Sequence, residues 1–593
     1  MGTNTIQTSR IIPKLFRNSL ITVIVAVIAT MIGIVIDGIV ISRFLGADSM
    51  AAYGLITPVV NATGIFSGVL TTGTQVVCAQ HLGAGNAGKA RRVFSMCMAA
   101  TIVISVLILA CTLLFKTQIA TFLGARGASS HLLPYAEDYL TGISVSLPMT
   151  IFLFEFSTLM RMDGDTARVI AAVGSMTLAD ICGDLLNVFV IKGGMLGMGL
   201  ATSVSYLIAG IILVLHFARK DIIFKPTARG LKLKDLKDIL VTGSSSAVGS
   251  ASGAARNTLL NRIMVSTTLS AAAVSALSIM NTVLGFASCT MIGIGMTTSM
   301  VAGMILGDRD RTAAEQLVKI SLKTCLAIGL PLSALIFIFA EPLARVFISG
   351  NDTSLVPLAA RALRFYSLSI TLYGINNTFV NYTQGMRRMG ISNVFCFLQN
   401  FLFVALPALL LAGRLDTDAV WIAYIIGEVL TLLTVIITAA VRSGRVPYHA
   451  SDYLFLKEPF TAPAEEIYEV SVNDKSCITD ISRDVYNFCE SRSADKRRCT
   501  LISLFVEELG NNVVSHGFKG EADKNLDIRV VHTEDGWIMR LRDNCRAFDP
   551  TSWIKLHSSG DPAANIGIRM VCGMAEDIRY LSTMDLNVLT IKL

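Results

Sequence analysis

The chain has 593 residues, of which 53% are hydrophobic and only 16% carry a charged side chain. A mean hydropathy of +0.60 is too apolar for a soluble protein of this length, so the composition indicates a membrane protein with a more polar appendage. The net charge of +7 does not indicate nucleic-acid binding, because the basic residues cluster in short segments between apolar runs.

The apolar runs predict twelve transmembrane helices. Basic residues are concentrated in the N-terminal segment and in alternate connections, so both termini are predicted to face the cytoplasm. The first run is too long for a signal peptide and is expected to be retained. The predicted spans are 19–41, 51–77, 93–115, 136–160, 167–191, 195–217, 239–264, 271–304, 317–340, 357–383, 391–411 and 418–441.

An internal repeat runs through this region. Leu82-Gly83 closes the second span and has a counterpart in Leu306-Gly307, which closes the eighth. Arg161-Met162-Asp163-Gly164 follows the fourth span and is echoed by Arg388-Met389-Gly390 after the tenth. A repeat of six spans preserves orientation in the membrane, so we predict two parallel six-helix bundles with a cleft between them. That architecture is typical of transporters.

Three carboxylates fall inside predicted spans of the first bundle. Asp180 and Asp184 are one helical turn apart on the same face of the fifth span, and Asp37 lies deep in the first. A carboxylate in a bilayer is costly unless it pairs or protonates, so this group is expected to share protons or hold a cation. The alternative for Asp180 is a helix cap at the membrane edge. Glu155 and Glu428 also lie within spans, where they line the cleft or hydrogen-bond between helices.

The segment Gly83 to Ala90 nearly spells a phosphate-binding P-loop. Ala90, however, replaces the hydroxyl residue that would bind Mg²⁺, and the segment follows an apolar span rather than a strand. We therefore predict a turn at the membrane edge, and the sequence offers no P-loop through which ATP hydrolysis could drive transport.

The first 445 residues resemble the multidrug and toxic compound extrusion (MATE) family of cation antiporters. The resemblance implies export of small organic compounds, often cationic, across the lipid bilayer in exchange for H⁺ or Na⁺. It divides residues 1–445 into repeats of about 1–222 and 223–445. It rests on the two repeat echoes and on Ile36-Asp37-Gly38-Ile39-Val40, the stretch from Gly73 to Gly83, Asp180-Ile181-Cys182-Gly183-Asp184-Leu185-Leu186-Asn187 and Gly197-Met198-Gly199-Leu200-Ala201-Thr202.

The same resemblance implies an ion-coupling site in the first bundle. The family's site matches this chain at Asp37, Asp180, Asp184 and Thr202. Position 180 is more usually Asn in that family, so the choice between H⁺ and Na⁺ stays open. The acidic pair that some members carry in the second bundle has no counterpart here.

A polar linker, 446–461, leads to a C-terminal region, 462–593, which we call the tail. Its periodicities change to those of a soluble α/β sandwich, and Asp535-Gly536 is a strong signal for a hairpin. The predicted elements are a strand at 466–472, helices at 478–490 and 494–516, strands at 526–532 and 537–542, a helix at 566–576 and a strand at 586–593.

One helix of the tail carries a regular row of polar side chains. Glu508, Asn512 and His516 are spaced by four residues, so a helix places a carboxylate, an amide and an imidazole on one face. Such a row suits a magnesium–nucleotide ligand. Each residue alone has an ordinary interpretation; His516, for example, would commonly be a helix-end histidine.

The tail resembles the GHKL ATPase fold, and within it the anti-sigma-factor serine kinases. The resemblance makes Glu508 the catalytic residue, Asn512 the ligand of Mg²⁺, and His516 part of the ATP site. Arg542-Asp543-Asn544 matches the box whose Asp binds adenine, and Asn565-Ile566-Gly567 matches the glycine box under the phosphates. Two usual glycines are replaced by Cys545 and Asn565, so whether bound ATP turns over stays open.

These observations predict a secondary active exporter in a bacterial plasma membrane. Its cytoplasmic tail would bind ATP and Mg²⁺ and either sense ATP or phosphorylate a Ser or Thr of an anti-anti-sigma-like protein. Two alternatives differ in the use of the two parts. In one, the membrane part is mainly the sensor or anchor of a serine kinase; in the other, the tail is a docking module without catalysis.

Overall fold

The computed structural model describes residues 11–593 except 220–221, 228–229, 349–354, 473–476, 493, 520–523, 535, 551, 553–565 and 585. The described residues up to Ser443 are mostly helical, and the connection between α8 and α9 is a longer non-helical segment. The helices are α1 Ile11–Val40, α2 Ala47–Gly83, α3 Ala87–Leu114, α4 Lys116–Leu123, α5 Leu133–Ile143, α6 Ser146–Met162, α7 Thr166–Leu186, α8 Gly194–Val214, α9 Leu233–Val265, α10 Ser270–Asp308, α11 Arg311–Ile338, α12 Ala340–Phe347, α13 Leu355–Gly385, α14 Met389–Phe397, α15 Phe403–Leu415 and α16 Asp418–Ser443.

Every predicted span coincides with helix in the structure. Within the described part of the chain, eleven helical segments are long and apolar enough to cross a membrane. The remaining predicted span, 239–264, lies in α9, whose run of serines and glycines makes it more polar than the others. Small residues of this kind let helix backbones approach closely in a membrane.

The repeat is visible in the lengths of matching helices. The third span of each half has 28 residues, as α3 and as α11. Each is followed by a short helix of 8 residues, α4 and α12. The two halves meet where α1 and α2 of the first pack against α9 and α10 of the second. The predicted P-loop look-alike is the turn between α2 and α3, where the Asn86 side chain caps α3 by accepting a hydrogen bond from Lys89 N at 3.1 Å.

The tail forms an antiparallel sheet with helices on one face. The strand order is β1-β2-β3-β5-β4. Side chains alternate along each strand, and those of one face join the helices in a separate apolar core that includes Phe505, Ile528 and Met539. The elements are β1 Ile467–Val472, α17 Ile478–Ser491, α18 Lys496–Asn512, β2 Leu526–Thr533, β3 Gly536–Asp543, α19 Ile566–Met574, β4 Asp577–Thr583 and β5 Leu586–Lys592.

The sequence analysis missed β4, whose residues it left unassigned between the last helix and the last strand.

The linker was predicted to be polar, but part of it is buried. Leu454 and Phe455 are buried in the core of the membrane part, and the Phe455 ring lies 5.9 Å from that of Phe395. The connection between the two parts is therefore fixed against the second half.

Candidate functional site

The three intramembrane aspartates of the first half lie together. The structure brings Asp37 of α1 next to Asp180 and Asp184 of α7, so that one carboxylate oxygen from each residue lies within 4.8 Å of the other two. All three side chains are buried. Asp180 therefore belongs to the cluster and is not a helix cap at the membrane edge.

Helix α8 contributes hydroxyl groups to this cluster. The Ser205 hydroxyl donates a hydrogen bond to Asp180 Oδ1 at 3.1 Å. Thr202, one turn earlier, donates to the carbonyl of Met198 at 3.3 Å and lies within reach of Asp180. The sequence analysis named Thr202 but missed Ser205, although a spacing of three residues puts both on one face of α8.

The cluster has little compensation for its negative charge. Among the described residues, no Lys, Arg or His forms an ion pair with any of the three aspartates. Both carboxylate oxygens of Asp184 and Oδ1 of Asp37 are buried without a hydrogen-bond donor from the described part of the chain. Carboxylates so close together cannot all be ionised in a low-dielectric site unless a cation joins them. The donor set of carboxylate and hydroxyl oxygens suits a proton or a hard cation such as Na⁺.

The other two intramembrane acids lie elsewhere. Glu155 is fully buried and accepts a short hydrogen bond from Thr101. Glu428 accepts hydrogen bonds at Oε2 from Asn376 at 2.8 Å and from Gln399 at 3.1 Å. These bonds join α13 and α16 to the segment between α14 and α15. Glu428 thus takes part in hydrogen bonding between helices, one of the two roles expected from the sequence.

In the tail, Glu508 and Gly567 are direct neighbours. A Cβ atom added to Gly567 would collide with Glu508 Oε2. A larger residue at position 567 would require the Glu508 side chain to move away. Two segments that are 59 positions apart in the sequence, the helix with Glu508 and the start of α19 with Gly567, therefore lie side by side.

Asp543 lies at the end of β3, as the sequence predicted. Its Oδ1 accepts hydrogen bonds from Cys545 N at 2.9 Å and from Asn587 Nδ2 at 2.8 Å. Burial raises the pKa of Asp543, and the bonds from Asn587 and Cys545 oppose that rise.

The end of α18 changes helix type. Asn512 is the last α-helical residue, and Val513–Gly517 form a turn of π-helix. A π-helical turn contains more residues than an α-helical one, so the His516 side chain points in a different direction from Glu508 and Asn512, not along the common face expected from the sequence. A Cβ on Gly517 would lie 2.8 Å from Cys545 Sγ, so this glycine accommodates the cysteine that replaces a usual glycine of the box. Asn565 lies outside the described residues.

Comparison with known proteins supports the reading of the membrane part. The sequence model of one protein family, described as MatE, matches residues 22–186 and 241–409. The matched residues end before the tail.

Similar proteins and solved structures carry names that refer to multidrug resistance or export. The chain is 21% identical over 383 residues to "Probable multidrug resistance protein YoeA" of Bacillus subtilis, which covers 61% of this chain and 79% of that protein. It is 23% identical over 407 residues to "Multidrug export protein MepA" of Staphylococcus saprophyticus, covering 67% and 87%. A solved structure titled as the outward-facing conformation of a multidrug resistance MATE family transporter has a TM-score of 0.68 at 21% identity, covering 73% of this chain and 96% of that one. The last comparison concerns the fold alone.

Proposed function

The chain belongs to the MatE family, and we propose that it is a secondary active exporter of organic, often cationic compounds driven by inward flow of H⁺ or Na⁺. The relatives named for multidrug export support the substrate class. The observation that carries the coupling proposal is the cluster of three buried aspartates, each of which places one carboxylate oxygen within 4.8 Å of the others.

The cluster suits repeated binding and release of an ion, because its net charge differs between the ion-bound and the ion-free state. A proton or a cation bound among Asp37, Asp180 and Asp184 would offset the repulsion between them, and its release would restore that repulsion. Thr202 and Ser205 supply further oxygens on the neighbouring helix. Coupling requires that this change favour different conformations of the two halves.

The coupling proposal is tested in proteoliposomes with an imposed gradient of either H⁺ or Na⁺. Asp37→Asn and Asp184→Asn should each abolish ion-driven efflux while insertion stays normal. Asp48→Asn is the matched control, because Asp48 is an exposed aspartate at the start of α2. Efflux at the wild-type rate by either cluster variant would contradict the proposal, and the gradient that drives wild-type efflux identifies the ion.

For the tail we propose a cytoplasmic GHKL-type domain, residues 462–593, that binds ATP with Mg²⁺. Its sheet with helices on one face, the contact of Glu508 with Gly567, and the position of Asp543 at the end of β3 support this proposal. Asn512 would hold Mg²⁺, Asp543 would accept a hydrogen bond from the adenine amino group, and His516 would lie beside the ligand. Bound ATP would supply a phosphoryl group for transfer, or its binding would change the conformation of the tail. The protein residues bind and orient the nucleotide.

A second candidate function is that of a membrane-anchored serine kinase acting on an anti-anti-sigma-like protein. The retained carboxylate of Glu508, placed against the glycine box, favours it, because a base at that position could accept the proton of a Ser or Thr hydroxyl. The two functions separate in one experiment. If phosphorylated protein forms while ion-driven efflux is absent, the kinase is the main activity.

A further inference from the structure

The tail contacts the second half of the transporter through buried ion pairs. Three arginines, Arg529, Arg540 and Arg542, point from the face of the sheet that its helices leave uncovered. They meet two aspartates in the turn between α10 and α11. Arg540 Nη1 lies 2.9 Å from Asp308 Oδ1, and Arg529 Nη1 lies 3.1 Å from Asp310 Oδ1.

Most of the surface of these charged side chains is shielded from water. The side chains of Asp308 and Asp310 are 3% and 0% exposed, and that of Arg542 is 4% exposed. Burial alone would raise the pKa of Asp310, but the three arginines together bring it down to about 2. A buried charge is tolerated when it is paired and is strongly destabilising when its partner is removed. The aspartates of this turn therefore depend on the tail.

The other edge of the sheet, on the same uncovered face, contacts the first half. The Thr583 hydroxyl, at the end of β4, donates a hydrogen bond to the carbonyl of Met162, the last residue of α6. Leu581, Met584 and Leu586 join the apolar core of the membrane part. One sheet thus spans both halves, with β2 and β3 on the second and β4 and β5 on the first.

Between these two attachments the halves of the transporter meet. At the tail-side ends of α2 and α10, a Cβ on Gly307 would collide with the carbonyl oxygen of Gln80. Arg92 of α3 also pairs with Asp235 of α9 at 2.7 Å. The seam between the halves is therefore closed on the side where the tail lies.

We infer that the uncovered face of the tail sheet is a latch surface whose partner is the pair of transporter halves, and that it holds the tail-side entrance shut. This inference rests on the proposed export function, because an exporter must open that entrance to load substrate. A hydrogen-bonded sheet attached to both halves resists their separation. The tail has to leave at least one half before the seam opens, so a ligand that changes the tail can regulate loading.

The inference is tested by measuring how far the halves separate in the full chain. Spin labels on Lys89→Cys in α3 and Lys319→Cys in α11 report the separation by electron–electron resonance, with the exposed cysteines Cys111, Cys182 and Cys477 replaced by Ser. Both label positions are exposed. The measurement uses no substrate and no gradient, so it is readable even if the coupling proposal fails.

Arg540→Gln should raise the ratio of open to closed protein by roughly tenfold, because the buried Asp308 of the docked state would then keep only the more distant pairing with Arg542, at 3.4 Å. Asp308→Asn should act in the same direction from the transporter side, which leaves the tail sequence intact. Arg483→Gln is the control, since Arg483 is exposed on α17 and pairs only weakly with Asp480. Unchanged distances in both Arg540→Gln and Asp308→Asn would overturn the inference, as would a shift toward shorter distances.

Discussion

Gly83 and Met304 are in backbone contact at the end of the seam between α2 and α10. A Cβ atom added to Gly83 would collide with the carbonyl oxygen of Met304, which is a backbone atom and cannot swing away. The Leu-Gly pairs that mark the repeat in the sequence therefore mark the place where the two halves touch. Their spacing reflects packing between the halves rather than ligand chemistry.

Gly83→Ala should destabilise this closed arrangement by about 1–3 kcal/mol, the usual cost of overpacking. We expect a lower melting temperature of the purified protein or a shift toward the open seam. The control is Gly64→Ala on the same helix, where a Cβ meets nothing within 4 Å. Equal melting temperatures and equal label distances for the two variants would show that the seam is looser than described.

Ser205 provides a second test of the aspartate cluster. Ser205→Ala removes a hydrogen bond that favours the ionised form of Asp180. It should shift the ion concentration at half-maximal efflux by about tenfold, to a lower value if the ion is H⁺ and to a higher value if it is Na⁺, since hydrogen bonds to charged groups contribute ~1.5–3 kcal/mol. Efflux should persist at high ion concentration, because the three carboxylates remain. The measurement is the concentration of H⁺ or Na⁺ at half-maximal efflux. Ser278→Ala is the control, because the exposed Ser278 hydroxyl bonds only its own helix at Val274; the same half-maximal concentration in both variants would exclude a role for Ser205.

Sequence reasoning identified the spans and the three aspartates of the cluster because both depend on local patterns. Long apolar runs fix the helices, and the spacing of Asp180 and Asp184 fixes their common face. Ser205 was missed because hydroxyl residues are frequent in membrane helices. Its role becomes visible only when α8 packs against α7.

In the tail, local sequence patterns were not enough to predict one strand and the ion pairs with the transporter. The strand β4, Asp-Ile-Arg-Tyr-Leu-Ser-Thr, has polar and apolar residues on both faces, because one face meets the tail core and the other meets the transporter. In the same way, the sequence alone gives Asp308 and Asp310 no role beyond that of a turn at the membrane edge, where they alternate with Arg309 and Arg311. Their arginine partners lie more than 200 positions along the chain, and no periodicity connects them.

Nucleotide binding by the tail should depend on Asn512 and not on its neighbour. Asn512→Ala should abolish magnesium-dependent ATP binding, because an amide oxygen is a hard ligand for Mg²⁺. Asn511→Ala, one position earlier on the same helix and exposed, is a matched control and should bind normally. Calorimetry with ATP in the presence and absence of Mg²⁺ measures the difference. Equal affinities for the two variants would remove Asn512 from the site.

A substitution of Glu508 should distinguish ATP binding from phosphoryl transfer. Glu508→Gln keeps the size of the side chain beside Gly567 but removes the base, so ATP should still bind while phosphoryl transfer to a Ser or Thr is lost. The readout is labelled phosphate on an anti-anti-sigma-like protein, compared between wild type and variant at equal ATP occupancy. Transfer at the wild-type rate by the variant would rule out the base role. No transfer by either protein, with ATP bound to both, would favour a sensing tail.

ATP should regulate transport and not power it. The segment that resembles a P-loop is a turn that caps α3, whereas the aspartate cluster lies inside the membrane, where an ion gradient can act on it directly. The tail also contacts both halves through a surface on the opposite side of its sheet from α18, so a nucleotide site on α18 could change the docking without forming part of the substrate path. We therefore expect efflux from proteoliposomes with an ion gradient and no nucleotide, at a rate that nucleotide alters. With nucleotide and no gradient, efflux should be absent. Transport in the second condition alone would refute this division of labour, because the energy would then come from the tail.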